Sequence, residues 1–599
     1  MFVGEQRAPA FAGLIAAAES IEKWWASGVV SGSPATAGST TTSSAPSRSP
    51  VANSAAPKSP ADSTQPSGDT ASVSTVEGIG VPDAPSFAAS GDHPQIAAAG
   101  AAYPAVPNAA PTPTRWRGLA NPNTPGEIVE PGHPTRNDNW SNTGNWDNGT
   151  PGGDTRDLFF GNNYASAGGT GSTTSNNDLA GYLGHKIIFE SGAPRPFTIT
   201  GNGFSLVDYQ DQGSPVFPQI ENNSRFLQIF NLLSAGRLPQ QLEVIRLPQQ
   251  LEFLDTSANH KAEINPVSGP LLFSASTTIS LAGNTQLQIF GGNTVTFNGA
   301  ISGANSIVIN AGTTVNYGAT NTYTGDTFVN NGTLQFTTGS ASANNSTIRL
   351  GNTAVGSGNA SLNLISPTGG IGLTNSINPG FAGGTGLYSI NSTNYTGINV
   401  LVGALIDLSA SLSINVTNAS QIVGQLSLAH NVSFQGASNR VLTIGGSGNT
   451  SISGNLLNVA NGSDVLLKTG SGVLTFEGSS DQTVSGNLLK FDLAGGTLVL
   501  RNAKNLGNPS GVSYPDKLTF VGGATPSVAT LEIDGSFAYG AAAAGAPLVG
   551  FAINRQSHGG NGANIDVTPG NTFTLNGAIT DTGADSTAGY FIKTDTGTL

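Results

Sequence analysis

Along the C-terminal half of the chain, polar and apolar residues alternate in short runs. Thr294-Val295-Thr296-Phe297, Ser306-Ile307-Val308-Ile309, Ser411-Leu412-Ser413-Ile414 and Val441-Leu442-Thr443-Ile444 are examples. A period of two sends successive side chains to opposite faces, so each run reads as a strand with one buried and one wet face. Asn-Gly, Gly-Gly and Ser-Gly steps separate the runs roughly every 8 to 15 residues. These residues supply the positive φ that tight corners require.

Such strands could build a sandwich, a propeller or a solenoid, and internal repetition discriminates among them. Asn293 to Ser302 matches Asn571 to Thr580, and Lys-Thr steps open similar segments at Lys468 and Lys593. The two intervals are unequal, which excludes a propeller with its fixed blade period. A solenoid tolerates them, because loops can be inserted at any corner. The predicted fold is therefore all-β, a parallel β-helix. At about 25 residues per coil, residues 265–599 would make about 13 coils stacked at about 4.8 Å. Val473 and Leu498 are assigned to the inner face.

Composition agrees. Only 10% of residues are charged and Gly numbers 80, so the wet faces must be Asn, Thr, Ser and Gly, which suits strands and turns better than helices. The net charge of −13 argues against nucleic acid and against an anionic membrane surface as partner. With no Cys, disulfides and thiolate chemistry are excluded.

Three parts follow. Residues 1–113, rich in Ala, Ser, Thr and Pro, are expected to be disordered, with one short helix over 14–26. Residues 114–264 are expected to form a β cap and the early coils, with strands at Lys186–Phe189 and Phe226–Phe230. Arg237-Leu238-Pro239-Gln240-Gln241-Leu242-Glu243 recurs as Arg246 to Glu252, a tandem duplication fit for a loop or one extra rung; two units are too few for a leucine-rich repeat. Trp140 and Trp146 admit two readings, a sugar-stacking platform or a plug over the first coil, and the plug is preferred. Residues 265–599 carry the solenoid.

Within that part, Lys468-Thr469-Gly470-Ser471-Gly472-Val473-Leu474-Thr475-Phe476 leads through Thr483-Val484-Ser485-Gly486 to Gly496-Thr497-Leu498-Val499-Leu500. A looser copy over 310–336 contains Asn321-Thr322-Tyr323-Thr324-Gly325, and a third opens at Lys593 and is cut by Leu599. The order of these elements, closed by Asn505-Leu506-Gly507, resembles the autotransporter-associated β-strand repeat family of bacterial surface proteins. The copies span about 310–336, 468–507 and 593 onward, and the segment around Trp140 and Trp146 is similar to the region preceding such repeats. The first copy lacks the opening Lys, and Val484 stands where Tyr is expected. The resemblance implies a right-handed β-helix passenger of a Gram-negative bacterium, at the cell surface or outer membrane or secreted, commonly followed by a membrane barrel. It implies a non-enzymatic stalk for adhesion or display, whose partner is an extracellular surface ligand or glycan. The interrupted last copy suggests that the chain is part of a longer protein. A signal peptide is not evident: residues 8–18 are apolar but small.

Candidate chemistry is sparse. His93, His133, His185, His260, His430 and His558 show no metal-ligand spacing and are read as scattered surface residues. Glu532 and Asp534 share one strand face, as acid-base carboxylates of a polysaccharide-active enzyme would, but with Leu531 and Ile533 inward they also describe an ordinary wet face. Gly559-Gly560-Asn561-Gly562-Ala563-Asn564-Ile565-Asp566 approaches a calcium nonapeptide, with Asn564 in place of Asp and no tandem copy. It is read as a glycine-rich corner. No catalytic, metal or cofactor residue is assigned.

Overall fold

The structure, a computed structural model, describes residues between 113 and 599 with internal gaps, the longest being 118–137, 162–172, 233–249 and 478–488. The expected disordered segment and its helix lie outside the described residues. So do the first copy of the duplicated heptapeptide and most of the second.

The described chain is a β-solenoid. All named strand pairs but one are parallel, the exception being the hairpin of Tyr209–Asp211 with Ser214–Val216. Long sheets of 13, 16 and 9 strands, with a shorter one of 5, run across successive coils, and only two 3₁₀ turns interrupt the β-structure described. From Leu271–Phe273 to Ile579–Asp581 the 16-stranded sheet contributes 13 strands, the number expected from coil length. In-register partners explain the missing sequence period. Val315 pairs with Leu334, 19 residues on, whereas Leu518 pairs with Phe551, 33 residues on. Coils differ in length while their strands keep register, because the extra residues go to corners.

Inside, apolar side chains stack by coil. Phe230, Phe273 and Phe297 lie face to face, with centroids 4.9 and 5.0 Å apart. Leu474, Leu498 and Leu531 form another in-register column, each essentially inaccessible. Leu531 and Ile533 point inward as expected, and so does Leu498. Val473 does not. It is half-buried on the outer face of Val473–Phe476, while Leu474 and Phe476 are buried. The assignment of Val473 to the core is thus corrected: Phe476 fixes the phase, and a residue three positions away must face outward. The strand expected at Phe226–Phe230 starts later, at Gln228–Leu232, because Asn222 Nδ2 donates to the Phe226 carbonyl and holds the preceding residues in a turn. The second duplicated heptapeptide ends in a strand, Gln250–Asp255.

The first coils are closed by aromatic rings. Trp140 is fully buried and meets Trp146 at 5.9 Å and Tyr182 at 5.2 Å, both edge-on, while Trp116 packs on Trp146 at 5.0 Å. The Trp140 indole N–H donates to Ser175 Oγ at 2.6 Å. Buried rings cannot stack on a sugar, so the plug is the correct reading of the two tryptophans.

The repeated motif now has a physical meaning. Asn321 and Tyr323 replace a strand at the third corner. Asn321 Oδ1 accepts from the Ile301 N–H at 2.9 Å, and Tyr323 turns inward, its hydroxyl 2.6 Å from Thr327 Oγ1. The lysine that opens the other copy, Lys468, is buried against the corner, its ammonium donating to the carbonyls of Thr469, Gly470 and Gly495. Gly470 takes φ +67°, and a Cβ on Gly472 would lie 1.9 Å from the Gly448 carbonyl oxygen of the coil below. Lysine and glycines together let adjacent corners touch.

Burial brings the Lys468 ammonium down to about 8, and that of Lys517, whose Nζ lies 5.8 Å from the Phe491 ring centre, also to about 8. The unfolded chain keeps ordinary lysine values near about 10.4. Between these limits the unfolded state binds more protons, so stability rises with pH. Below about 8 both states are protonated and the cost of burying the charge is fully present. We expect the free energy of unfolding to increase from pH 8 to pH 10 by about 1–2 kcal/mol per lysine once solvent screening is allowed for, read as a rise in Tm. The increase should shrink in Lys468→Met. A Tm that falls through this window would contradict the burial of these ammonium groups.

Candidate functional site

The outer face of the 16-stranded sheet carries two uncharged polar columns that no single segment of sequence displays. In the first, Thr294, Thr314 and Thr333 stand in register and continue as Ser361, Ser389, Ser413 and Thr443. The second lies two residues further along each strand and runs Thr296, Asn316, Gln335, Asn363, Asn391, Asn415. Each strand places these residues outward because Val295, Val315, Leu334, Leu362, Ile390 and Ile414 between them are core. The carboxamides form a ladder: Asn391 Nδ2 donates to Asn363 Oδ1 at 2.9 Å, and Asn415 Nδ2 to Asn391 Oδ1 at 3.2 Å. In the hydroxyl column Ser361 and Ser389 Oγ lie 2.9 Å apart. Each hydroxyl can donate one and accept two hydrogen bonds, so the column keeps capacity for a ligand.

Beside the hydroxyl column an open groove of about 600 Å³ crosses several coils. Ser361, Ser389, Ser413 and Thr443 line it together with Leu387, Ala410 and Val441. Leu387 is 76% exposed, the most exposed large apolar side chain among the described residues. No charged residue lines this groove. The column is bounded on the C-terminal side by Leu467, beyond which Asp492 brings charge onto the same face.

The carboxylates singled out from sequence lie on a different sheet. Glu532 and Asp534 face outward from Ala529–Ile533 and its extension, and Asp566 of the next coil stands in register with Glu532. Arg501 Nε reaches Asp534 Oδ2 at 3.2 Å, both side chains well exposed. The Glu532 carboxyl is pushed above its usual range, first by desolvation and then by Asp566 and Asp534, with Arg501 opposing. Three carboxylates and one guanidinium thus share a face. Asn564 and Asp566 of the glycine-rich segment belong to the strand Ala563–Val567, while Gly559 to Gly562 lie outside the described residues. Among the described residues no three His, Cys, Asp or Glu side chains are grouped to hold a metal ion.

Of the histidines, His93, His133, His260 and His558 fall outside the described residues, and His430 is exposed. His185 corrects the expectation of a surface residue. It is completely buried, with Nδ1 2.7 Å from Asp157 Oδ1 and its ring edge-on to Tyr209 at 4.3 Å. A hydrogen-bonded, ring-packed imidazole fits the interior of the early coils.

No protein-family model, curated protein or solved structure matches this chain.

Proposed function

We propose that the chain is a non-enzymatic, exported surface protein, a β-helical stalk similar to an autotransporter passenger and wound in the right-handed sense usual for parallel crossover connections. The observation that carries this reading is the coil geometry of the repeated motif. Lys468, its glycines and Asn321 are spent on joining coils, which is what a scaffold repeated for length requires. Sparse, dispersed charge and corner insertions of varied length supply a display surface. An extracellular polysaccharide-active enzyme is the second reading, favoured by Glu532, Asp534, Asp566 and Arg501 on one face; these groups lie on an open strand surface, and the groove beside the hydroxyl column does not include them. Brief protease treatment of intact producing cells tests the proposal. Loss of the full-length chain without lysis is expected; complete protection, with release only on lysis, overturns it. Wild-type protein and Glu532→Gln should be equally inactive on soluble pectate and xylan, whereas activity abolished by that substitution would establish the second reading.

A further inference from the structure

We infer that the hydroxyl column and its groove, between Ser361 and Thr443, bind a neutral, extended polysaccharide chain lying along the solenoid axis. The inference rests on the surface reading above and gives that surface a ligand class.

Four features point to this occupant. The first is charge: the groove contains none, so an acidic or basic polymer would lose its hydration without gaining a counter-charge. The second is repetition. Hydroxyls recur once per coil at about 4.8 Å, close to the advance per ring of an extended 1,4-linked sugar chain, so successive sugar hydroxyls can meet successive serines. The third is amphipathy. A pyranose ring has a polar rim and apolar C–H faces; Ser361, Ser389, Ser413 and Thr443 offer the polar partners, and Leu387, Ala410 and Val441 the apolar wall. The fourth is exposure: a side chain as open as Leu387 has apolar area available for burial on binding. A peptide strand would need free backbone edges instead, and here the backbone is already paired to both neighbouring coils. The Asn363–Asn391–Asn415 ladder, bonded along its length and with Asn391 Nδ2 also donating to Ser389 Oγ at 3.3 Å, flanks the hydroxyls and holds their spacing.

The test uses the purified full chain with insoluble cellulose, xylan and mannan in pull-down, and calorimetry with the matching hexasaccharides. Polygalacturonate serves as the charged comparison. Saturable binding to at least one neutral polymer is expected, with weak or no binding to polygalacturonate. The double variant Ser389→Ala/Ser413→Ala should lose about tenfold in affinity and Leu387→Ala about threefold to tenfold. Gln288→Ala, on the outer face of the 13-stranded sheet, should bind as wild type, and all variants should keep the wild-type Tm within about 2 °C. Failure of every neutral probe to saturate, equal binding of polygalacturonate, or unchanged affinity in the double variant would overturn the inference. So would a concentration-dependent dimer dispersed by Ser389→Arg, which would make the groove a contact between copies. Because binding is read on purified protein and surface exposure on cells, the two proposals fail separately.

Discussion

Leu498→Asp is expected to open the stack locally, costing about 4–5 kcal/mol or more. Leu498 lies between Leu474 of the coil below and Leu531 of the coil above, with only 1% of its surface accessible. A carboxylate there has no partner and no water. Each coil touches only its neighbours, so the damage should stay near the substituted coil. Limited proteolysis should show new cuts around 470–535 while the Trp-plugged first coils remain intact. Val473→Asp is the matched comparison. Its side chain faces out, and stability should change by less than about 0.5 kcal/mol. A wild-type digestion pattern for Leu498→Asp would contradict its inward placement, and a destabilised Val473→Asp would contradict the outward placement of Val473.

A second large effect is expected at Gly472. Any side chain there meets the Gly448 carbonyl at 1.9 Å and its carbon at 2.7 Å, and both are backbone atoms of the coil below. The coils must separate, so Gly472→Val should cost about 3 kcal/mol or more and broaden the thermal transition. Two further glycines separate the possible causes. Gly312 takes φ +75° with nothing within 4 Å of a Cβ, so Gly312→Ala carries conformational strain alone, about 1–2 kcal/mol. Gly372 has neither positive φ nor a near neighbour, and Gly372→Ala should be neutral or slightly stabilising. A Gly472→Val variant as stable as Gly372→Ala would mean that the corners do not touch.

Much of the architecture was legible because alternation and glycine spacing are local signals. Leu531 and Ile533 could be placed inward, and about 13 coils counted, without knowing which strands pair. Phase failed at Val473 because Val473 and Leu474 are both apolar; Phe476, two positions beyond Leu474, held the answer. Trp116 stands in a three-residue strand, Thr114–Trp116, too short to display a period, and its packing on Trp146 is a tertiary contact. His185 and Lys468 are polar residues whose burial depends on tertiary partners, Asp157 in one case and three corner carbonyls in the other. The hydroxyl column lay beyond local reading. Ser361, Ser389, Ser413 and Thr443 become neighbours only through registers that skip 28, 24 and 30 residues, and such unequal steps leave no period to detect.

The same unequal steps bear on how the chain acquires its structure. Although long parallel sheets usually imply slow, distant pairing, the parallel registers of the described strands join residues no more than 47 positions apart, as between Phe204 and Leu251. Loop closure grows only logarithmically with length, so a coil of 33 costs little more to close than one of 19. A new coil needs only the edge of the last one as its template. Growth from the tryptophan-sealed end can therefore proceed one turn at a time, and a chain emerging in sequence order, from a ribosome or through a pore, would gain stability with each turn delivered.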